Sequence, residues 1–142
     1  MSGVKVAESD ADIARCWPVI RQLRAHLKDQ AAFVAQAKRQ MANDRWRLIY
    51  VEDKDAVVAV AGFRILECLY SGLTLYVDDL VTGEDSRSKG HGETLIAWME
   101  KTARDEGCQT FSLDSGVQRS AAHKFYFRMG LPITCYHFAK TL

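Results

Sequence analysis

The most restrictive feature of this sequence is a strand–helix–strand segment in its second half. Residues 73–82 are rich in Leu, Val and Tyr and predict a strand, and 110–114 predict a short second strand. Between them, 90–106 carries apolar residues along one helical face, and Gly107 is a natural helix stop. Two strands joined by such a helix pair in parallel through a right-handed crossover. The sequence therefore predicts at least one parallel strand pair.

A second strand pair in the middle of the chain is predicted to be antiparallel. Residues 46–52 and 56–66 both have strand-like patterns, and Asp53-Lys54-Asp55 between them is a turn sequence. A connection this short forms a hairpin. The sheet is therefore mixed and mostly antiparallel.

Two helices are predicted near the N-terminus. Residues 10–28 have apolar side chains at helical spacing, and Ser9 with Asp12 makes a capping box at the start. Pro18 lies inside this segment and predicts a kink or a late start. A second helix, rich in Ala, Gln and Lys, is expected around 33–41.

The complete pattern predicts an α+β fold, or α/β in looser usage, with helices on both faces of a twisted mixed sheet. No repeat, low-complexity tract or linker divides the chain, so we expect a single domain over 1–142. The element order is βααβββαβαβ, which adds a strand over 4–8, a helix over 119–129 ended by Gly130, and a strand over 133–139.

Composition excludes several classes of function. The formal net charge of +1 gives no support to nucleic-acid binding, and no apolar run is long enough to predict a membrane span. The N-terminal residues lack a secretory signal, so we expect a cytoplasmic protein with reduced thiols. No Cys/His spacing matches a metal site, and no metal is predicted.

The first chemical signal is Arg87-x-x-Gly90-x-Gly92, at the junction of the strand and the helix. Glycines there let backbone N–H groups approach an anion, and the start of a helix offers unpaired N–H groups and a partial positive charge. The dinucleotide fingerprint fails because Leu95 stands where its third glycine belongs, and the P-loop pattern fails because His91 follows Gly90. Taken alone, the motif fits an anion cradle and a plain helix start equally well.

A second segment changes that balance. Residues 75–82 with 87–93, followed by 122–131 with its Phe125-Tyr126 and Gly130, resemble the GNAT superfamily of acetyl-CoA-dependent N-acetyltransferases. The resemblance implies that the chain transfers an acetyl group from acetyl-CoA to a primary amine by direct attack in a ternary complex. The alternative is a noncatalytic acyl-CoA-binding or regulatory module on the same fold.

The resemblance also implies roles for individual residues. Tyr126 would protonate the departing thiolate, and Arg119 stands where many members have Asn, so its contact with the cofactor would be altered or replaced by one to a phosphate. Backbone groups of the strand would hold the pantetheine arm, and the loop with the first helical turn would wrap the pyrophosphate. These cofactor-binding residues are Leu80, Val81 and Thr82 for the arm, and Arg87, Ser88, Lys89, Gly90, His91, Gly92 and Glu93 for the pyrophosphate.

Two carboxylates, Asp78 and Asp79, interrupt the otherwise apolar third strong strand. Because successive strand residues face opposite sides of a sheet, only one of them is expected to face the cleft. That one is a candidate for binding the amine or accepting its proton through water. The alternative role for such a carboxylate is structural, as the partner of an arginine or as a cap. The alternative role for Tyr126 is that of an aromatic side chain in the core.

The acceptor amine cannot be read from the sequence. A small amine, an amino acid, a polyamine and a protein lysine all remain open. A homodimer is also suggested, because the strand over 133–139 would lie at an exposed edge where a second copy could pair with it.

Overall fold

A computed structural model describes residues 3–142 and contains one five-stranded mixed sheet flanked by five helices. The strands follow chain order across the sheet, with β1 to β4 antiparallel and β5 parallel to β4. The elements are β1 (Val4–Val6), α1 (Asp10–Arg15), α2 (Trp17–Leu23), α3 (Gln30–Asp44), β2 (Arg47–Asp53), β3 (Ala56–Cys68), β4 (Gly72–Thr82), α4 (His91–Asp105), β5 (Thr110–Leu113) and α5 (Ser120–Arg128). The predicted mixed, mostly antiparallel sheet is confirmed.

The helix predicted over 10–28 is two short helices that meet at Cys16. Pro18 lies in the first turn of α2, where its missing N–H leaves no hydrogen bond unmade. The proline therefore starts a new helix, as the expected kink or late start implied. The capping box is also present, because Ser9 Oγ accepts from the Asp12 N–H and Asp12 Oδ2 accepts from the Ser9 N–H.

The β2–β3 hairpin closes with two central residues in the left-handed region, Lys54 at φ 51° and Asp55 at φ 64°. Positive φ at both positions is the requirement of a type I′ turn, whose twist matches that of the flanking strands. Asp53 and Ala56 therefore face each other at the end of the ladder.

Alternation along β2 sends its side chains into two separate cores. Leu48 and Tyr50 pack with α1, α2 and α3 on one face of the sheet. Ile49 and Val51 pack with α4 on the other face. Helices therefore cover both faces, as the sequence predicted.

The strand predicted over 133–139 is wrong. Residues 131–142 form no regular element, and the side chains of Ile133, Tyr136 and Phe138 are exposed. Apolar residues in this segment satisfy a strand pattern, but a strand also needs a partner. Among residues 3–142, no segment pairs with the outer edge of β5. The homodimer suggested from this strand stays a prediction without that support.

Candidate active site

A bulge in β4 brings two acidic residues to the same side of the sheet. Gly62 of β3 faces Asp79, while the next residue, Phe63, faces Val77, so Asp78 is the extra residue. An extra residue inverts the alternation that follows it. Leu75 and Val77 accordingly pack on the α4 side, whereas Val81 packs on the α1–α3 side.

The expectation that only one of the two carboxylates could face the cleft is therefore wrong. Asp78 and Asp79 both line a cavity of about 430 Å³ under α2 and α3, the larger cavity. Both also line a second cavity of about 320 Å³ beside the end of β5, the smaller cavity. The bulge explains this placement, since a regular strand would point the two side chains in opposite directions.

Each of these carboxylates is paired with an arginine. Arg64 Nε donates to Asp78 Oδ2 at 3.1 Å, and Arg24 Nε donates to Asp79 Oδ1 at 2.9 Å. Arg24 Nη2 also donates to the Asp78 carbonyl oxygen at 2.7 Å. Burial raises the pKa of both carboxyl groups, and the neighbouring arginines work against that rise.

The parallel strands β4 and β5 separate at the smaller cavity. Their pairing ends at Val77 and Leu113, and β4 continues to Thr82 with β3 on one side only. The predicted pantetheine-binding residues Leu80, Val81 and Thr82 all lie in this part of β4, which pairs with β3 and not with β5. The smaller cavity occupies the gap, with Leu80, Ser115, Arg119 and Tyr126 among its walls.

Tyr126 is a buried residue of α5, with 8% of its surface exposed. Burial raises the pKa of its hydroxyl, and the guanidinium of Arg119 beside it counteracts part of that rise. The phenol therefore stays protonated at neutral pH. Its ring stacks edge-on against Phe125 with the centroids 5.5 Å apart.

The cradle, residues 87–93, is open where α4 begins. Gly90 precedes the helix at φ 83°, and no side chain caps the first turn. Ser88 is also left-handed at φ 65°, which turns the loop sharply just before the helix. Gly92 lies against the ring of Phe125, and a Cβ there would be 3.2 Å from Phe125 Cζ. The first N–H groups of α4 are therefore free of intrahelical and side-chain acceptors.

Three buried side-chain polar atoms in the described part of the chain have no hydrogen-bond partner, and all three lie around this site. They are His91 Nε2 in the cradle, Ser115 Oγ in the smaller cavity and Trp46 Nε1 in the larger cavity. Trp46 Nε1 faces Asp79 without reaching normal hydrogen-bond geometry. Buried polar groups are normally satisfied, so these atoms mark places where a ligand or water completes the structure.

The larger cavity is lined by apolar side chains on one side and by the charged residues Arg24, Asp78 and Asp79 on the other. Its apolar wall comes from α2, α3 and the segments that follow them: Ile20, Leu27, Phe33, Ala37 and Trp46. Trp46 can lie there because Gly62 has no side chain, since a Cβ on Gly62 would be 2.2 Å from Trp46 Cζ2. Arg24, Asp78 and Asp79 line both cavities, so the two spaces meet at this charged group.

Sequence reasoning missed Arg24, Arg64 and Trp46. Arg24 contacts Asp79 across 55 positions of sequence, and no local pattern marks such a pair. Arg119 immediately precedes α5 and Tyr126 lies seven residues later, about two helical turns, so their spacing indicates that they face one cavity. This spacing can be read from the sequence alone.

Among residues 3–142, no group of three His, Cys, Asp or Glu side chains is arranged to hold a metal ion. No helix in this part of the chain is long and apolar enough to cross a membrane.

The fold and the site define a protein with a gap between two separating parallel strands, next to a helix whose first turn no side chain caps. Comparison with known proteins agrees, because the profile of the Acetyltransferase (GNAT) family matches residues 12–131. This chain belongs to the GNAT family and is an acetyl-CoA-dependent acyltransferase.

Individual relatives support this assignment. An uncharacterized N-acetyltransferase of Bacillus subtilis, YhdJ, is 31% identical over 99% of both chains. The aminoalkylphosphonate N-acetyltransferase of Salmonella typhimurium is 33% identical over 46% of this chain and 43% of its own length. The crystal structure of a transcriptional regulator from Bacillus halodurans shares the fold, with a TM-score of 0.85 and 18% identity over 98% of this chain and 99% of that one.

Proposed function

We propose that this protein transfers the acetyl group of acetyl-CoA directly to a primary amine while both are bound, and that residues 1–142 act as one acetyltransferase domain. The observation that carries this proposal is the meeting of the two cavities at Asp78 and Asp79. One cavity follows the gap between β4 and β5, and the other opens under α2 and α3. Two substrates entering from these two sides would meet at the charged group.

The cofactor half of the site would use mostly backbone groups. N–H groups of Ser88 to Glu93 would surround the pyrophosphate, and Arg87 and Lys89 would add positive charge. The unpaired edge of β4 at Leu80, Val81 and Thr82 would bind the amides of the pantetheine arm. Acetyl-CoA supplies a thioester whose carbonyl carbon is attacked by the amine.

The acceptor amine must lose a proton before it can attack. Asp78 and Asp79 lie where the two cavities join, and their raised pKa values make them better proton acceptors than exposed carboxylates. We propose that one of them accepts the ammonium proton through a water molecule. Their arginine partners oppose the rise in pKa that burial causes.

The leaving group needs a proton when the C–S bond breaks. Tyr126 lies in the smaller cavity, protonated and largely buried, where the thioester would sit. We propose that its hydroxyl donates a proton to the sulfur as the new C–N bond forms. Arg119 beside it would stabilise the resulting phenolate, which takes up, through water, the second proton that the nitrogen loses as it becomes an amide. The predicted contact between Arg119 and a phosphate stays a prediction.

A small molecule is the favoured acceptor. The larger cavity has the volume of a small-ligand pocket, and one relative of this chain is an aminoalkylphosphonate N-acetyltransferase.

The test of the proposed function is a screen of primary amines with acetyl-CoA, following free CoA thiol and confirming the acetylated product by mass spectrometry. Turnover that Tyr126→Phe strongly slows, and Tyr70→Phe on the distant β3–β4 turn does not, supports the proposal. Tight acetyl-CoA binding without turnover for any amine would favour a noncatalytic acyl-CoA-binding module.

A further inference from the structure

The charges around the larger cavity cancel. Among the described residues, Asp78 and Asp79 are the only acidic side chains that line it, and Arg64 and Arg24 neutralise one each. A site for a polycationic amine would need carboxylates that are free to meet the extra ammonium groups. This cavity provides none.

Both arginines have guanidinium N–H groups that their carboxylate partners do not use. Arg64 donates through Nε alone, and its Nη1 and Nη2 make no hydrogen bond to any residue in 3–142. Its guanidinium is held over the Tyr76 ring, 5.6 Å from the centroid, and its side chain is 38% exposed. Arg24 uses Nε and Nη2, which leaves Nη1 free at the wall of the cavity. Arg24 lines both cavities, and Arg64 lies beside the larger cavity, against two of its lining residues, Tyr76 and Asp78. Each arginine is therefore held at this cavity by its carboxylate and keeps N–H groups that no other residue in 3–142 uses.

Such donors suit one kind of ligand group. The planar fork of a guanidinium matches the two oxygens of a carboxylate or the oxygens of a phosphonate. Arginines anchored by an ion pair lose little side-chain freedom when they bind an anion, because they are already ordered. The apolar wall of Phe33, Leu27 and Trp46 would take the hydrocarbon part of the same molecule.

We propose that the acceptor is a small zwitterionic amine, whose carboxylate or phosphonate group binds the free N–H groups of Arg64 and Arg24 while its amine lies at Asp78 and Asp79. This inference rests on the proposed amine acetylation. The amine and the anionic group must be near each other, since the arginines that bind the anion also contact the two carboxylates. Amino acids and aminoalkylphosphonates with a short spacing meet this condition, and linear polyamines do not.

The experiment compares matched pairs of acceptors that differ by one anionic group. The pairs are phenylalanine with 2-phenylethylamine, leucine with 3-methylbutylamine, and alanine with ethylamine. The phosphonate analogue of each amino acid forms a third arm, and spermidine represents a polycation. For each compound, kcat/KM is measured by CoA thiol release.

Three variants test the role of Arg64 in binding the anionic group. Arg64→Gln removes the proposed anion donor, and Arg64→Lys keeps the charge beside Asp78 but loses the fork. Arg47→Gln is the matched control, because Arg47 is equally exposed, is ion-paired with Glu106 and lies over the Phe63 ring away from the cavities. The Arg47–Glu106 pair is exposed, so Arg47→Gln should change stability little. The Arg64–Asp78 pair is partly buried, so Arg64→Lys, which keeps a positive charge beside Asp78, is the variant to compare if Arg64→Gln lowers the melting temperature.

The wild type should prefer the anionic member of at least one pair by tenfold or more. Arg64→Gln should reduce that preference by about tenfold, Arg64→Lys should reduce it less, and Arg47→Gln should leave it within twofold. Comparing ratios between variants cancels the different basicities of the amines. The carboxylate and phosphonate arms show which anion is used.

Equal use of the anionic and neutral members by the wild type, or a preference for spermidine, would overturn the proposal. An Arg64→Gln ratio that changes no more than the Arg47→Gln ratio would also overturn it. Turnover of the neutral amines in any of these cases leaves the proposed acetyltransferase function intact. Absence of CoA release with every amine tested would instead contradict the proposed function itself.

Discussion

The two ends of α4 offer a direct test of the cradle. Gly90 precedes the helix at φ 83° and Gly107 follows it at φ 82°, and a Cβ at either position would meet no atom within 4 Å. Changing each to Ala therefore imposes the same backbone strain at the same helix without a steric clash. Only Gly90 lies in the proposed pyrophosphate site.

The cost to folding should be small and equal for the two variants. A non-glycine residue in the left-handed region costs about 1–2 kcal/mol, and the reduced freedom of Ala in the unfolded chain offsets part of that cost. A net loss of about 1 kcal/mol lowers the melting temperature of a chain of this length by about 3 °C. Thermal unfolding of Gly90→Ala and Gly107→Ala should therefore agree closely.

Only Gly90→Ala should weaken acetyl-CoA binding. A methyl group at Gly90 would stand in the open mouth of the cradle, where the phosphates would approach the N–H groups. Losing one hydrogen bond to a charged group costs about 1.5–3 kcal/mol, which is roughly ten- to a hundredfold in Kd. Calorimetric titration with acetyl-CoA should show this loss for Gly90→Ala and an affinity within twofold of wild type for Gly107→Ala. Equal effects of the two substitutions on binding would refute the cradle.

Three other perturbations have defined outcomes. Tyr126→Phe should lower kcat by about a hundredfold or more and leave the Kd of acetyl-CoA within twofold, by steady-state kinetics and titration; unchanged turnover would remove Tyr126 from the mechanism. Gly62→Ala places a Cβ 2.2 Å from Trp46 Cζ2, so it should destabilise the fold by about 1–3 kcal/mol and raise the acceptor KM, without weakening acetyl-CoA binding. The N–H groups of Glu8 and Ser9 lower the pKa of Asp12, so its stabilisation is fully present above the unfolded carboxyl pKa and is lost as the pH falls through the lower folded value. Unfolding of Asp12→Ala should show a loss of about 1 kcal/mol at neutral pH that disappears in acid, and a pH-independent loss would contradict the capping role.

The parts of this fold that depend on local chemistry were predictable. The capping box at Ser9, the helix break at Pro18 and the helix end at Gly130 each follow from the conformational preferences of a few neighbouring residues. The strand–helix–strand unit was equally clear, because a parallel pair needs a crossover and the apolar pattern supplied one.

The parts that depend on distant partners were not predictable. Nothing near Asp78 marks it as a bulge, since the bulge arises from the register between β3 and β4. The arginine partner of Asp79 comes from the end of α2 for the same reason. Residues 133–139 show the opposite error, because a local strand pattern was present and the neighbouring strand was not. The sequence predicts the candidate site residues, and the charge balance among them depends on contacts that form only in three dimensions.

The central claim is that one acetyl group moves from acetyl-CoA to a bound amine with no acetylated protein in between. The most direct measurement uses isotopically labelled acetyl-CoA and follows the label by mass spectrometry with and without an amine substrate from the screen. Direct transfer predicts labelled amine in a one-to-one ratio with CoA thiol, and neither CoA release nor labelled protein when the amine is left out. A burst of CoA with labelled protein in the absence of amine would contradict it.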